Sequence, residues 1–221
     1  MTAAATHRCA FDLRHYAELI EAAQAGGYRS ALFDHDPVPG DLFLRHDVDL
    51  SLDAALRLAR LEFQLGARAT YFLMTESVFY NLGSEEGRSA IAELRELGHA
   101  VGLHACWPNA VTDGRFDPVV AWHNPDAEYM AAPVPGLVNV MEPRFTADFA
   151  QTYRSDSNQS WRRGCPYEAL RAGAFPWLQF LTHPEIWVYP GATMRETMLA
   201  MLEAERERRL EQLAADRIDL S

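Results

Sequence analysis

The segment that most restricts how this chain can fold is an apolar run that ends in two aspartates. Residues 42–49 read Leu-Phe-Leu-Arg-His-Asp-Val-Asp, so Asp47 and Asp49 lie two positions apart at the end of a predicted strand. Side chains two residues apart on a strand point the same way, about 6.5–7 Å from each other. Ionised carboxylates this close repel, and a divalent cation, a shared proton or a cation such as Arg45 can offset the charge. A polar strand end followed by a helix cap at Ser51 is the alternative interpretation.

The segments around this strand alternate between helix and strand patterns. Apolar residues at helical spacing predict helices that begin after Asp12, Ser51 and Ser84, and aromatic and β-branched residues predict strands at residues 69–74 and 99–103. The order strand, helix, strand, helix, strand is typical of a parallel α/β core. The sequence also predicts short strands at residues 119–122, 137–140, 151–154 and 177–182, and a C-terminal helix from about residue 192.

Composition restricts the partners. The 221 residues are 48% hydrophobic, which suits one domain with a well-buried core. The net charge of -11 argues against binding of nucleic acid or of an anionic membrane surface, since both need a basic face. No window approaches 18 consecutive apolar residues, so no transmembrane segment is predicted. The first residues lack the apolar run of a signal peptide, and a cytoplasmic location is expected.

The cysteines predict no cross-linked framework. Cys9, Cys106 and Cys165 are odd in number and irregularly spaced, which favours reduced, buried thiols over disulfides or a zinc ribbon.

Polar residues recur where the other predicted strands end. His104, His123, Asp156 and His183 each follow an apolar stretch. The carboxyl ends of parallel barrel strands meet on one face, so these side chains are expected to converge with the Asp47–Asp49 pair. Each residue alone has a structural explanation, and the prediction of a chemical site depends on their coincidence.

Three motifs resemble the polysaccharide deacetylases, the NodB-homology domain. They are Arg-His-Asp-Val-Asp at residues 45–49, Gly-His-Ala-Val-Gly-Leu-His at 98–104 and Leu-Thr-His-Pro at 181–184. The resemblance covers roughly residues 42–190. It implies an α/β fold, a single-domain distorted (β/α) barrel.

Within that single domain, 1–221, the sequence pattern predicts an N-terminal helix and loop (1–40) and a C-terminal helix (191–221), and the resemblance implies a catalytic barrel core (41–190) between them.

The resemblance implies a role for each matching residue. Asp47 corresponds to the catalytic base, Asp49 to the metal-binding acid and His104 to the first histidine ligand. His183 corresponds to the general acid that protonates the leaving amine.

Four further positions carry weaker implications. Asp156 resembles the acid that orients the general-acid histidine, and Arg144 the arginine that holds the base. Trp161 resembles a tryptophan that lines the substrate pocket, and Trp107 is a further residue expected to stack on a sugar ring.

One position departs from the family pattern. The second histidine ligand usually follows the first by four residues, and here that position is Pro108, which has no ligating side chain. His123 is the candidate replacement. Asp49, His104 and His123 suit one divalent ion with open positions, with Zn²⁺ expected and Fe, Co, Ni and Mn as alternatives.

The implied activity is metal-dependent removal of an N-acetyl or other N-acyl group from an amino sugar. The sugar is free, nucleotide-linked, lipid-linked or polymeric, and the setting is surface polysaccharide or lipopolysaccharide biosynthesis. A non-catalytic carbohydrate-binding relative is one alternative. A metal-dependent glycosyltransferase is another, because Asp-x-Asp also binds metal there, although little chain precedes residue 42 to hold a nucleotide. The sequence leaves the oligomeric state open.

Overall fold

The computed structural model describes residues 9–106 and 113–219. They form an α/β fold in which every strand of the sheet is parallel to its neighbours. The strands are β1 (Arg29–Ala31), β2 (Asp41–Val48), β3 (Thr70–Met74), β4 (Ala100–Ala105), β5 (Val119–Trp122), β6 (Val138–Asn139), β7 (Tyr153–Ser155) and β8 (Leu178–Thr182).

Within residues 9–106 and 113–219, four longer helices and five short ones connect or flank these strands. They are α1 (Leu13–Ala25), α2 (Leu52–Gln64), α3 (Glu85–Glu96), α4 (Ala127–Met130), α5 (Pro143–Thr146), α6 (Phe149–Thr152), α7 (Tyr167–Arg171), α8 (Pro184–Val188) and α9 (Met194–Ala215).

The strand that ends in the paired aspartates lies at the centre of the sheet. The strand order is β6-β5-β4-β3-β2-β8-β7, and β1 also pairs with the first half of β2. Every residue of β2 is buried. A strand covered on both faces carries a nearly continuous apolar run, which explains why it was recognisable in the sequence.

The sheet curls part of the way round a barrel. Its edge strands are β6 and β7, and these two strands do not pair with each other in the described part of the chain. The observed architecture is therefore an open, curled parallel sheet with helices on its outer face.

Most of the predicted elements are confirmed. The helices after Asp12, Ser51 and Ser84 form, and each of these side chains accepts a hydrogen bond from a backbone N–H in the first helical turn. The strands predicted at 119–122 and 177–182 correspond to β5 and β8.

One prediction about a short element is partly wrong, and one short strand was missed. The strand predicted at 151–154 is split between helix α6 and strand β7, because the hydroxyl of Thr152 donates to the carbonyl of Ala147 and closes a helical turn. Strand β1 was not predicted, since three residues are too few to show a periodic pattern. Its pairing with β2 is a tertiary contact.

Phenylalanines fill the inner side of the curl away from the strands' carboxyl ends. The ring of Phe33 lies 5.0 Å from that of Phe43 and 5.1 Å from that of Phe145, measured between centroids. A Cβ on Gly102 would lie 2.5 Å from the ring of Phe72, so this strand position requires glycine. These phenylalanines fill the interior of the curled sheet at the amino ends of the strands, and the interior is open at the carboxyl ends.

Candidate metal centre

The polar residues predicted from strand ends do converge. Asp49 follows β2, His104 is the second-to-last residue of β4, and His123 follows β5. Asp156 and His183 follow β7 and β8, on the opposite side of β2. Parallel pairing brings all five to one edge of the sheet.

Asp49, His104 and His123 form a compact set of ligand atoms. The Oδ1 of Asp49 lies 3.0 Å from Nε2 of His104 and 3.1 Å from Nδ1 of His123. The two histidine nitrogens lie 3.3 Å apart. Tetrahedral zinc bonds of about 2.0–2.1 Å would place neighbouring N and O ligands roughly 3.3–3.4 Å apart. The spacing therefore fits a metal ion.

The contacts of Asp49 Oδ1 with the two histidines are also better explained by a shared cation than by hydrogen bonds. Oδ1 of Asp49 is buried, yet neither histidine contact has the alignment of a hydrogen bond. A buried carboxylate oxygen without such a partner is costly. Burial raises the pKa of Asp49, but its interactions with His104 and His123 outweigh this, so the pKa lies well below its ordinary value. Asp49 is therefore an anion that can accept a cation.

Backbone and side-chain contacts orient the two histidine rings. Nδ1 of His104 donates to the carbonyl of Ala121 at 2.9 Å, which leaves the lone pair of Nε2 facing Asp49 and His123. Nε2 of His123 lies 3.2 Å from the side-chain amide of Asn124. Such outer contacts hold metal-binding histidines in place.

Arg45 holds Asp47. Nε of Arg45 donates to Oδ1 of Asp47 at 2.8 Å, and Nη2 donates to Oδ2 at 2.6 Å. Burial raises the pKa of Asp47, but the charge of Arg45 outweighs this and holds the pKa below its ordinary value. Oδ2 also lies 3.8 Å from Nε2 of His104, at the edge of the ligand set.

The prediction that Arg144 holds the base is wrong. Arg144 is partly exposed and pairs with Asp36 at 2.8 Å and Glu142 at 2.9 Å. Asp47 is held instead by Arg45, which lies two residues before it and so points to the same side of β2. The alternation of side chains along β2, which places Asp47 and Asp49 on one side, also places Arg45 on that side and could have predicted this pairing.

His183 is fixed by Asp156. Oδ1 of Asp156 accepts from Nδ1 of His183 at 2.7 Å, and Oδ2 accepts from the indole N–H of Trp187 at 2.7 Å. Nε2 of His183 lies 4.0 Å from Oδ2 of Asp49. Burial lowers the pKa of His183, but the charge and the hydrogen bond of Asp156 outweigh this and raise the pKa to about 10.

One cavity of about 550 Å³ is bordered by Asp47, Asp49, His104, His123 and His183. Trp161 lines it and stacks on Phe180, with ring centroids 5.5 Å apart. Trp107, also predicted to bind substrate, lies outside the described residues, as does Pro108. Tyr153 and Trp122 line the cavity too and were not predicted as site residues, although each lies at a strand terminus.

Three arginines also lie along the cavity. One of them, Arg154, lies in β7. The other two, Arg162 and Arg163, lie in the segment after β7 and are exposed. The chain as a whole is acidic, so this is a local concentration of positive charge in a protein of net charge -11. Such a rim favours anionic groups on a bound molecule.

No protein-family model, curated protein or solved structure matches this chain. Within residues 9–106 and 113–219, no helix has both the length and the apolar character needed to cross a bilayer.

Proposed function

We propose that this protein is a metal-dependent hydrolase that removes an N-acetyl or other N-acyl group from an amino sugar. The observation that carries the proposal is the convergence of Asp49, His104 and His123 at one cavity, with Asp47 and His183 beside them. The resemblance to polysaccharide deacetylases, including the distorted barrel of that family, is part of the same proposal.

Asp49, His104 and His123 would hold the divalent ion. A bound Zn²⁺ or similar ion supplies Lewis acidity, which polarises an amide carbonyl and makes water more acidic. Amides are poor electrophiles, so this chemistry is needed for hydrolysis at neutral pH. The donor set of one carboxylate and two imidazoles leaves positions for solvent and substrate.

Asp47 is the proposed general base. Its Oδ2 faces the ligand set but belongs to a carboxylate whose two oxygens are held by Arg45. The pairing keeps Asp47 ionised and fixes the direction from which it accepts the proton of the attacking water. Asp47 is therefore suited to act on solvent without itself replacing a metal ligand.

His183 is the proposed general acid. Its pKa is raised to about 10, so the ring carries a proton at neutral pH. Nδ1 is engaged by Asp156, which leaves Nε2 to deliver a proton into the cavity. Protonation of the departing nitrogen is required because an amide anion is too poor a leaving group.

The residues that line the cavity favour an amino-sugar substrate that carries a phosphate group. Trp161 adds apolar surface to the cavity lining beside which a sugar ring can pack, and Arg154, Arg162 and Arg163 favour a neighbouring phosphate. A nucleotide-linked or lipid-linked sugar has this chemistry. A cytoplasmic precursor in surface polysaccharide synthesis is the corresponding setting, and this location stays a prediction.

The test is release of acetate by zinc-loaded protein from a panel of N-acetylated amino sugars. The panel contains free, phosphorylated, nucleoside-diphosphate-linked and oligomeric substrates, and chelated protein serves as the blank. We expect release that depends on metal and is faster with the phosphate-bearing members. Metal binding and sugar binding without acetate release across the panel would instead identify a non-catalytic carbohydrate-binding protein.

A further inference from the structure

A second group of metal-binding side chains lies away from the cavity edge. The sulfurs of Cys9 and Cys165 and a ring nitrogen of His15 all lie within 4.8 Å of one another. Nε2 of His15 lies 3.2 Å from Sγ of Cys165. These residues are up to 156 positions apart in the chain, so only folding brings them together.

The histidine of this group is held in place from behind. His15 lies in the first turn of α1, and its side chain is almost fully buried. Its Nδ1 lies 3.1 Å from Oε2 of Glu18, one helical turn further along. A carboxylate on one ring nitrogen directs the other nitrogen, here Nε2, towards the two sulfurs, as in carboxylate–histidine–metal arrangements.

We propose that Cys9, His15 and Cys165 form a second metal site, one that binds a thiophilic divalent ion such as Zn²⁺. Two thiolates and a neutral imidazole balance the charge of the ion and are preferred zinc ligands. Zinc bonds of about 2.3 Å to sulfur and 2.0–2.1 Å to nitrogen place tetrahedral ligands roughly 3.5–3.8 Å apart. The cluster needs only small side-chain movements to reach this spacing. Both cysteines are partly exposed, so water can supply the fourth position.

The site would brace one wall of the cavity. Cys165 directly follows residues 161–164, all of which line the cavity. On the other side, Phe11 lies two residues after Cys9 and stacks on Trp161 at a centroid distance of 5.8 Å. A metal that joins Cys9 to Cys165 therefore fixes the segment that carries Trp161. The proposal does not depend on the activity assigned to the Asp49 centre.

Titration of reduced protein with Co²⁺ separates the two centres, because thiolate ligands give a near-ultraviolet charge-transfer band that carboxylate and imidazole ligands do not. The Asp49→Ala variant removes the first centre and leaves the second intact. In this variant we expect one equivalent of Co²⁺ to produce the thiolate band and Zn²⁺ to abolish it by displacement.

Substitutions assign the ligands. Cys9→Ser and Cys165→Ser should each weaken metal affinity by more than about 100-fold. This is a larger loss than follows from removing a side chain that only contacts a ligand. Cys106→Ser is the matched control and should keep the band. Circular dichroism identifies any variant that fails to fold. If Cys165→Ser fails to fold, Cys9→Ser and His15→Asn each test the site independently, and each should weaken the thiolate band.

Three outcomes would overturn the proposal. The first is a folded, reduced Asp49→Ala protein that gives no thiolate band with Co²⁺. The second is a band that survives Cys9→Ser and Cys165→Ser but disappears in Cys106→Ser. A mass two hydrogens lower with no metal bound under reducing conditions would show that the cysteines form a disulfide instead, and this also contradicts the metal site.

Discussion

Among the described residues, a fully buried carboxylate and a partly exposed one each lie beside two histidines, but on opposite sides of the sheet. Glu62, on α2, lies with His46 and His99 between the sheet and the outer helices. Asp49 lies with His104 and His123 at the inner, open edge. The same residue types therefore build two clusters with different properties.

The Glu62 cluster is a closed network. Oε1 of Glu62 accepts from the hydroxyl of Tyr16 at 2.6 Å and lies 2.8 Å from Nε2 of His46. Oε2 accepts from the hydroxyl of Tyr71 at 2.6 Å, and His99 lies 3.7 Å away. The Glu62 side chain is fully buried. Both carboxylate oxygens of Glu62 are therefore hydrogen-bonded within the protein, and Glu62 does not line the cavity that Asp49 borders.

The Asp49 cluster is incomplete without a further partner. Its Oδ1 lacks an aligned hydrogen bond, and the side chain is 17% exposed towards the cavity. Composition does not separate the two clusters. What separates them is whether each polar atom is satisfied and whether solvent can reach it. We therefore expect substitutions at Glu62 to act on stability and those at Asp49 to act on metal binding.

The largest expected effect is that of Asp49→Ala. Metal binding at this centre and acetate release should fall to background, because a ligand is lost and not only an outer contact. Asp47→Asn is the matched variant and should retain the metal while turnover falls about 10²–10⁴-fold, the usual contribution of a general base. Metal content by elemental analysis, measured in a Cys165→Ser background that lacks the second site and read beside acetate release, checks both. Loss of metal in Asp47→Asn with retention in Asp49→Ala would mean that the two roles are exchanged.

Glu62→Ala should show the opposite pattern. Removal of one member of a buried charged network typically costs about 3–5 kcal/mol of unfolding free energy. Urea denaturation of metal-free protein measures this cost, and Asp49→Ala serves as the comparison because it removes an unsatisfied carboxylate and should lose far less stability. The folded fraction of Glu62→Ala should keep its metal at the Asp49 centre. A Glu62→Ala protein of unchanged stability would remove the distinction between the clusters.

Asp156→Asn should move the pH dependence of turnover. The pKa of His183 is raised to about 10 mainly by Asp156 acting against burial, and a general acid works only while protonated. Without the Asp156 charge the pKa falls, so the alkaline limb of kcat/KM moves to lower pH, and the rate at neutral pH drops about 10–100-fold. Trp187→Phe removes one hydrogen bond to Asp156 but no charge, and its profile should move much less. An unchanged alkaline limb in Asp156→Asn would exclude His183 as the acid.

The smallest expected effect is that of Arg144→Gln. Arg144 makes partly exposed ion pairs, so unfolding free energy should change by no more than about 0.5 kcal/mol and acetate release should be unchanged. Arg45→Gln, in contrast, leaves the buried Asp47 without its cation and should lower both stability and turnover. Equal effects of the two substitutions would restore Arg144 as a candidate for holding the base.

Much of the inner cluster could be predicted because its signals are local. The period-two pattern of β2 and the apolar runs before His104, His123 and His183 place polar groups at strand ends, and parallel pairing makes those ends meet. The closed cluster was less visible, because His46 and His99 show no sequence signal for a shared partner on α2. The same limitation explains why the cysteines were expected to be unconnected thiols.

By itself, the sequence determined the order of the longer strands and helices, the carboxylates at the end of β2 and the residues that carry the resemblance to deacetylases. These are properties of short segments, where backbone geometry alone sets which side chains share a face. Only the tertiary structure decided that His123 joins Asp49 and His104, that Arg144 pairs with Asp36 and Glu142, and that Cys9 meets Cys165. Such contacts depend on how distant segments pack, and local periodicity contains no information about that distance.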